Sequence, residues 1–466
     1  MMDADVIVVG GGVIGTAIAW RAAAGGRSVT LIDPDTDDKA SLVAAGMLGP
    51  VSESVFGERD LLALNLHAVD RFPAFNAELE AASGLQTGLR TEGTLAVAYD
   101  SGDLAALDRL TEFRHSIGLK AERLDARACR KLEPFLAPST RGGVLATGDL
   151  SVDNRRYLAA LRTAAAAAGV RMIVGHVTEV APGQVRFRVP PAGGPDAQVA
   201  SSPTGARASG VASSPTGARA SGVASSPTGA RASGVASSPT GARASGVASS
   251  PAGDRPAEVA SWPTGADRAG PWPPRPVPRP DRPDWGGAGG TAAAGGTVEM
   301  SADQVVVAAG WGTGRIEGVP DAIRKAIRPV KGQILRLRHP GNLPRIISHT
   351  VRAMVQGRDI YLVPRADGEL VVGATQEERD DRDITAGAVH DLLRDAMTAA
   401  PAISELILAE ASAGRRPGTS DNGPILGPVT PTGAVTPAGP AARSGLIVAA
   451  GHFRNGVLLS AATPTR

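Results

Sequence analysis

Two hydrophobic periods alternate over the first 33 residues. Residues 6–9 form a continuous apolar run, an Ala-rich helical pattern follows, and a second apolar run at 29–32 ends on Asp33. Gly10-Gly11-Gly12-Val13-Ile14-Gly15 joins the first run to the helix, so the order is strand, glycine turn, helix, strand, acid. That order predicts a dinucleotide-binding unit. Gly10 allows the tight turn, Gly12 lets the backbone reach a pyrophosphate, and Gly15 lets helix and strand pack closely. The helix N-terminus offers free N–H groups and partial positive charge to the phosphates. Asp33 is expected to accept hydrogen bonds from the adenosine ribose hydroxyls. The motif leaves FAD and the nicotinamide dinucleotides equally open.

Downstream the pattern stays α/β, with one interruption. A helix is predicted at 153–169 and strands at 170–174, 184–189 and 297–300. The last two read as arms of one hairpin whose turn has expanded, which the logarithmic growth of loop-closure cost permits. A fully apolar strand covers 304–311, strands follow at 332–338, 359–365 and 369–375, a helix at 385–400, and a final strand at 446–450 runs into Gly451. The interruption is 190–296. Val199-Ala-Ser-Ser-Pro-Thr-Gly-Ala-Arg-Ala-Ser-Gly210 recurs unchanged at 211–222, 223–234 and 235–246, and decayed copies carry the repeats to 270. With one Val and one Pro per copy, the repeat cannot bury enough apolar area to offset its ordering entropy, so a disordered insertion is expected. The Pro-rich tract 271–283 has the composition of a polyproline II ligand for an SH3-like partner. A passive spacer is the competing reading.

Composition narrows the classes. Length 466 suffices for two or three domains, and a net charge of +2, from 48 basic and 46 acidic residues, argues against a nucleic-acid-binding protein. Cys129 is the only cysteine, which excludes an internal disulfide and a thiolate metal cluster. The seven histidines show no metal-ligand spacing. Asp3 and Asp5, rather than basic residues, precede the first apolar stretch, and no run is long enough to span a membrane, so a soluble cytoplasmic protein is expected. A dinucleotide fold without triad, metal cluster or CxxC points to redox chemistry supplied by the cofactor. Three segments place Arg or Tyr among glycines and prolines at strand ends: Tyr361-Leu-Val-Pro-Arg365, Gly414-Arg-Arg-Pro-Gly-Thr419 and Gly451-His-Phe-Arg-Asn-Gly456. Arginine in such places suits carboxylate recognition.

The glycine turn, Ala40-Ser41, Ala44-Ala45-Gly46-Met47-Leu48, Val330-Lys331-Gly332-Gln333, the Tyr361 segment, Val371-Val-Gly-Ala-Thr375, Gly414-Arg-Arg-Pro-Gly-Thr419 and Gly451-His-Phe-Arg-Asn-Gly456 occur in family order. Together they resemble the glycine oxidases of thiamine biosynthesis, within the D-amino-acid oxidase and sarcosine oxidase superfamily. The resemblance implies an α/β (α+β) flavoenzyme. Its discontinuous Rossmann-like FAD-binding domain would comprise 1–50, 140–189, 297–327 and 408–466, and a mainly antiparallel substrate domain 51–139 and 328–407. FAD would bind non-covalently, since Cys129 lies in a charged helical stretch far from the C-terminal motifs. Glycine, or sarcosine and small D-amino acids, would be oxidised by O2 to glyoxylate (for glycine), ammonia and hydrogen peroxide, supplying the thiazole branch of thiamine biosynthesis. Arg416 would clamp the substrate carboxylate, with Tyr361 and Arg454 completing the polar end. Cofactor contacts would come from Gly10, Gly12, Val13, Ile14, Gly15 and Asp33, from Ser41, Ala45, Gly46 and Met47 along the flavin, and from Val177 at the adenine. Gly310, His452, Phe453, Arg454, Asn455 and Gly456 would complete them. Positioning would carry much of the catalysis, with no general base required. A homotetramer is the family's common state. Arg415 stands where an apolar residue is usual, Ser412 where a large one is, and the family pattern continues beyond residue 466 through a closing helix. A dehydrogenase with another electron acceptor, or an inactive flavin fold serving as an interaction module, are the alternatives.

Overall fold

A computed structural model describes residues 3–190, 296–341, 343–430, 432–436 and 445–463. The repeats and the Pro-rich tract, with their expected disorder and SH3-like partner, lie outside the described residues.

The first sheet is built around the predicted unit. Strand β1 (Ala4–Val9) lies between β2 (Val29–Asp33) and the long β11 (Thr297–Val307), parallel to both. Outward from these, β8 (Arg171–Val174) pairs with β2, and β18 (Leu446–Ala450) joins β11 to β17 (Ile425–Pro428). The first half of β11 does different work. It pairs antiparallel with β10 (Gln184–Arg188), which pairs with β9 (His176–Ala181), so the two hairpin arms flanking 191–295 do meet. Alternation along β1 fills two cores, as a parallel sheet covered on both faces requires. Val6 and Val8 pack with helices α1 (Val13–Ala24), α3 (Arg59–Ser83) and α6 (Asn154–Ala167); Ile7 and Val9 pack on the opposite face with Val177, Phe187 and Ile323.

The second sheet has the order β16-β12-β15-β14-β13-β4-β6-β5 and is antiparallel except where β13 meets β4. Its strands are β4 (Thr94–Ala98), β5 (Glu122–Asp125), β6 (Gly142–Ala146), β12 (Arg328–Arg338), β13 (Thr350–Val355), β14 (Arg358–Pro364), β15 (Glu369–Gly373) and β16 (Ile407–Gly418). Alternation again divides the side chains. Leu335, Leu362 and Val372 pack with the helix Ala386–Ala399, while Ile334, Val363 and Val371 meet Ala45 and Tyr361 on the other face.

Three placements differ from the expected division of the chain. Residues 142–146 and 407–418 are strands of the second sheet, where β6 extends β4 and β16 extends β12. Conversely, helix 59–83 buries Ala68, Phe72, Phe75 and Leu79 in the first sheet's core. Hydrogen-bonding partners and apolar faces, not position along the chain, set these memberships.

Candidate active site

Both sheets contribute to one cavity of about 670 Å³, within the range of small-molecule sites. At one end it is walled by Gly10–Ile14, Asp33, Gly175 and Val177; at the other by Tyr361, Thr375, Arg416 and Arg352. Of the residues expected to contact cofactor or substrate, all line it except Gly15 and Asn455.

Gly15 is needed for a steric reason. A Cβ there would stand 1.9 Å from the Gly10 carbonyl oxygen, so only glycine lets the helix start against the turn. Gly10 itself has φ +106°, and a Cβ would stand 2.6 Å from the Ala308 carbonyl oxygen. Gly12 caps α1 in extended conformation without a side-chain cap. The first-turn N–H groups, which cannot bond within the helix, therefore form part of the wall. Ser41 Oγ accepts one of them, from Val13, at 3.1 Å.

Asp33 lines the cavity and is also engaged by the chain itself. Its Oδ2 accepts the Gly11 N–H at 2.6 Å, and its Oδ1 accepts from the Asp35 N–H at 2.7 Å and pairs with Lys39 Nζ at 2.8 Å. The carboxylate thus braces the glycine turn, and only Oδ2 retains an acceptor position for a ribose hydroxyl. Lys39, which sequence reasoning passed over, is largely buried in this pair.

The segment Ser41–Met47 is held from behind. Gly46 has φ +72°, and a Cβ there would stand 2.0 Å from the Val152 carbonyl oxygen. The Arg365 guanidinium donates to the carbonyls of Ala45 (2.7 Å) and Val152 (2.8 Å) and to Asn154 Oδ1 (3.1 Å). Burial lowers its pKa to about 10. Of the three arginine-bearing segments, the first therefore gives its arginine to structure: Arg365 is committed to backbone carbonyls and is not among the cavity-lining residues.

Arg416 and Tyr361 meet at the polar end, each seated over a glycine. A Cβ on Gly332 would stand 2.4 Å from both Arg416 terminal nitrogens, and one on Gly373 would stand 2.5 Å from the Tyr361 hydroxyl. Arg416 Nη1 donates to the Thr375 carbonyl at 3.3 Å, and no carboxylate pairs with this guanidinium among the described residues. Burial pushes the Tyr361 phenol upward, with Arg416 opposing, so it stays a neutral donor at physiological pH.

Arg454 is placed differently from the expectation. It lines the cavity but its Nη2 is 2.5 Å from Glu58 Oε2, and Glu58 also accepts from Asn422. Arg415 is buried and pairs with Asp38 and with Asp380 (2.9 Å), its guanidinium 3.8 Å from the centre of the Trp311 ring. That second cation is therefore neutralised on the cavity wall. His452 is buried with Nε2 3.3 Å from Thr463 Oγ1, and desolvation lowers its pKa to about 3, so the imidazole is neutral. Asn455 is buried behind the lining residues. Gly310, Phe453 and Gly456 also line the cavity. Cys129 is buried in the second sheet's core, away from the cavity lining, which leaves the chain no cysteine positioned to tether a cofactor.

A family model described as FAD dependent oxidoreductase (DAO) matches residues 5–239 and 279–463. The chain belongs to this family of FAD-dependent oxidoreductases. It is 27% identical over 462 residues to a glycine oxidase of Geobacillus kaustophilus, covering 98% of this chain and 90% of that protein. It is 25% identical over 462 residues to the bifunctional protein ThiO/ThiG of Synechocystis sp., of which the match covers 50% against 98% of this chain. The chain thus spans about half the length of the bifunctional relative. The crystal structure of the Geobacillus kaustophilus glycine oxidase superposes with a TM-score of 0.67 at 25% identity, covering 100% of this chain and 93% of that one.

FAD fits the cavity on the geometry of the glycine turn. Gly10 and Gly15 leave no room for a Cβ, Gly12 presents bare backbone, and the same cavity is lined by Arg416 and Tyr361. The pyrophosphate would lie at Gly11–Ile14 and the ring system along Ala44–Met47.

Proposed function

We propose that this chain oxidises a small primary or secondary amino acid, glycine foremost, with O2 as acceptor, giving glyoxylate, ammonia and hydrogen peroxide in the case of glycine. One observation carries the reading. Arg416 is a guanidinium without a carboxylate partner among the described residues, seated on Gly332 beside the neutral Tyr361 phenol, in the cavity that begins at the glycine turn. A guanidinium so placed takes a carboxylate in two parallel hydrogen bonds, and the phenol donates a third. Fixing the carboxylate fixes Cα, and with it the direction of the C–H bond that breaks. FAD, when bound, supplies the electron acceptor. The polypeptide's share is orientation, exclusion of water and retention of a neutral environment, to which the uncharged His452 contributes.

The name of the Geobacillus relative, a glycine oxidase, supports glycine as the substrate. The resemblance to the glycine oxidases of thiamine biosynthesis extends the reading to supply of the thiazole precursor. The residue roles are part of the same proposal: Arg416 and Tyr361 on the carboxylate, Arg454 beside Glu58, and Gly10, Gly12–Gly15, Asp33, Ser41, Ala45–Met47, Val177, Gly310 and His452–Gly456 around FAD. The test is peroxide release by FAD-loaded protein with glycine, sarcosine, D-alanine and D-proline, run beside reduction of an artificial dye. Peroxide with at least one of them is the expected result. Dye reduction without peroxide would assign a dehydrogenase, and no turnover of any of the four would overturn the proposal.

A further inference from the structure

Five arginines line the cavity, Arg315, Arg352, Arg415, Arg416 and Arg454, yet a monocarboxylate needs one. Arg416 lacks an acidic partner among the described residues, whereas Arg352 Nη1 is 2.9 Å from Glu53 Oε1 and Arg454 is paired with Glu58. Both acids come from a single connection, the stretch between the short strand Met47–Leu48 and the helix beginning at Arg59. That connection is fastened independently of Arg352 and Arg454. Asp149 accepts the Val51 and Ser52 N–H groups, each at 3.0 Å, and Arg114 donates to the Ser52 carbonyl at 2.8 Å and to Ser54 Oγ at 3.2 Å.

Arg352 is the more instructive pair. It sits directly across from Tyr361 in the β13–β14 ladder, so both side chains leave the same face, with Cβ atoms about 5 Å apart. Glu53, Arg352 and Tyr361 all line the cavity, and the Tyr361 phenol senses the charges of both Glu53 and Arg352.

We infer that Glu53 is a specificity-determining residue: by neutralising Arg352 it closes an anion subsite beside Tyr361 and restricts the cavity to amines bearing one carboxylate. The inference rests on the proposed activity and deepens it. A monocarboxylate brings one negative charge to Arg416 and leaves the Glu53–Arg352 pair intact. A dicarboxylic amine brings two, and its second carboxylate must displace Glu53 from Arg352 or lie uncompensated next to it. Without the Glu53 charge, Arg352 becomes the partner of that second carboxylate.

The experiment compares FAD-loaded wild type, Glu53→Gln, Arg352→Gln and the double variant. One readout is kcat/KM for glycine and D-alanine against D-aspartate and iminodiacetate. The other is the dissociation constant of acetate against malonate, from the perturbation of the flavin absorption spectrum. Glu53→Gln is expected to raise the preference for dicarboxylates at least tenfold in both readouts, and the double variant to abolish that gain. A preference within threefold of wild type in Glu53→Gln overturns the inference. Should Glu53→Gln fail to fold, Arg352→Gln decides. It leaves Glu53 uncompensated near Arg416 and is expected to weaken acetate binding at least fivefold, and unchanged acetate binding overturns the inference. Wild type that oxidises none of the amines refutes the proposed activity instead, and the acetate–malonate titration still judges the subsite.

Discussion

Adding one methyl group at Gly332 should separate substrate recognition from folding. In Gly332→Ala the new Cβ would lie 2.4 Å from Arg416 Nη1 and Nη2 and 2.5 Å from Cζ. Ordinary contact begins near 3.4 Å, so the guanidinium must retreat by about 1 Å. The retreat is cheap in stability, because the displaced atoms are the free end of a long side chain. Gly332 lies in β12 and its φ falls outside the left-handed region, so alanine suits the backbone and is expected to add up to about 1 kcal/mol to stability. Recognition should suffer instead. A charge-assisted hydrogen bond is worth about 1.5–3 kcal/mol, and misplacing the guanidinium should cost that much, about 10- to 150-fold in kcat/KM. The assay is steady-state kinetics with the wild type's preferred amino acid, beside thermal unfolding of the same FAD-loaded preparations. An unchanged or raised Tm with a KM increase of tenfold or more is expected. Unaltered kinetics would refute the seating of Arg416 on Gly332 and, with it, the carboxylate site.

Arg416→Ala should raise KM for glycine by the equivalent of about 2–5 kcal/mol while FAD content stays at wild-type level; equal kinetics would remove Arg416 from the site. Asp33→Asn should weaken FAD binding at least tenfold in a fluorescence titration, because an amide cannot both accept the Gly11 N–H and compensate Lys39; unchanged affinity would show the brace to be idle. His452 titrates near pH 3 when folded against about 6.5 when unfolded, so the unfolded state binds more protons between those values and stability falls as pH drops through that window. At pH 5 this linkage amounts to about 2 kcal/mol relative to pH 7.5, and His452→Gln should lose that difference in denaturant unfolding. A pH slope shared by variant and wild type would contradict a neutral buried imidazole.

Much of the architecture is legible in the sequence because each signal is local. The strand-turn-helix-strand unit depends on two apolar runs and a glycine turn in which Gly10 and Gly15 leave no room for a Cβ, and the strand at 446–450 is found where the pattern puts it. The hairpin across 191–295 is also readable, since its arms alternate on their own: Val185 and Phe187 are buried while Arg186 and Arg188 are exposed. Sheet membership is a different kind of information. Nothing within Gly142–Ala146 or Ile407–Gly418 says which sheet it joins, because a strand pairs with whatever partner the topology presents. The 25-residue helix from Arg59 likewise shows an apolar face without showing its destination.

The arginines set the limit more sharply. Arg365, Arg415, Arg416 and Arg454 stand in similar sequence surroundings, rich in glycine and proline, yet they end in four different states. Among the described residues Arg365 is spent on two backbone carbonyls, Arg415 on two aspartates and a tryptophan face, Arg454 on Glu58, and Arg416 on nothing acidic. What distinguishes them is compensation, supplied by Asp38, Asp380 and Glu58, which lie between 35 and 396 positions away in the chain. Free energy tracks that pairing, since a guanidinium already facing a carboxylate must give up one partner to gain another. On the proposed reading the binding group is the arginine left without an acidic partner among the described residues: Gly332 gives it room, and Tyr361 gives it a second donor. A sequence displays the cations, and only the fold shows which of them already face a carboxylate.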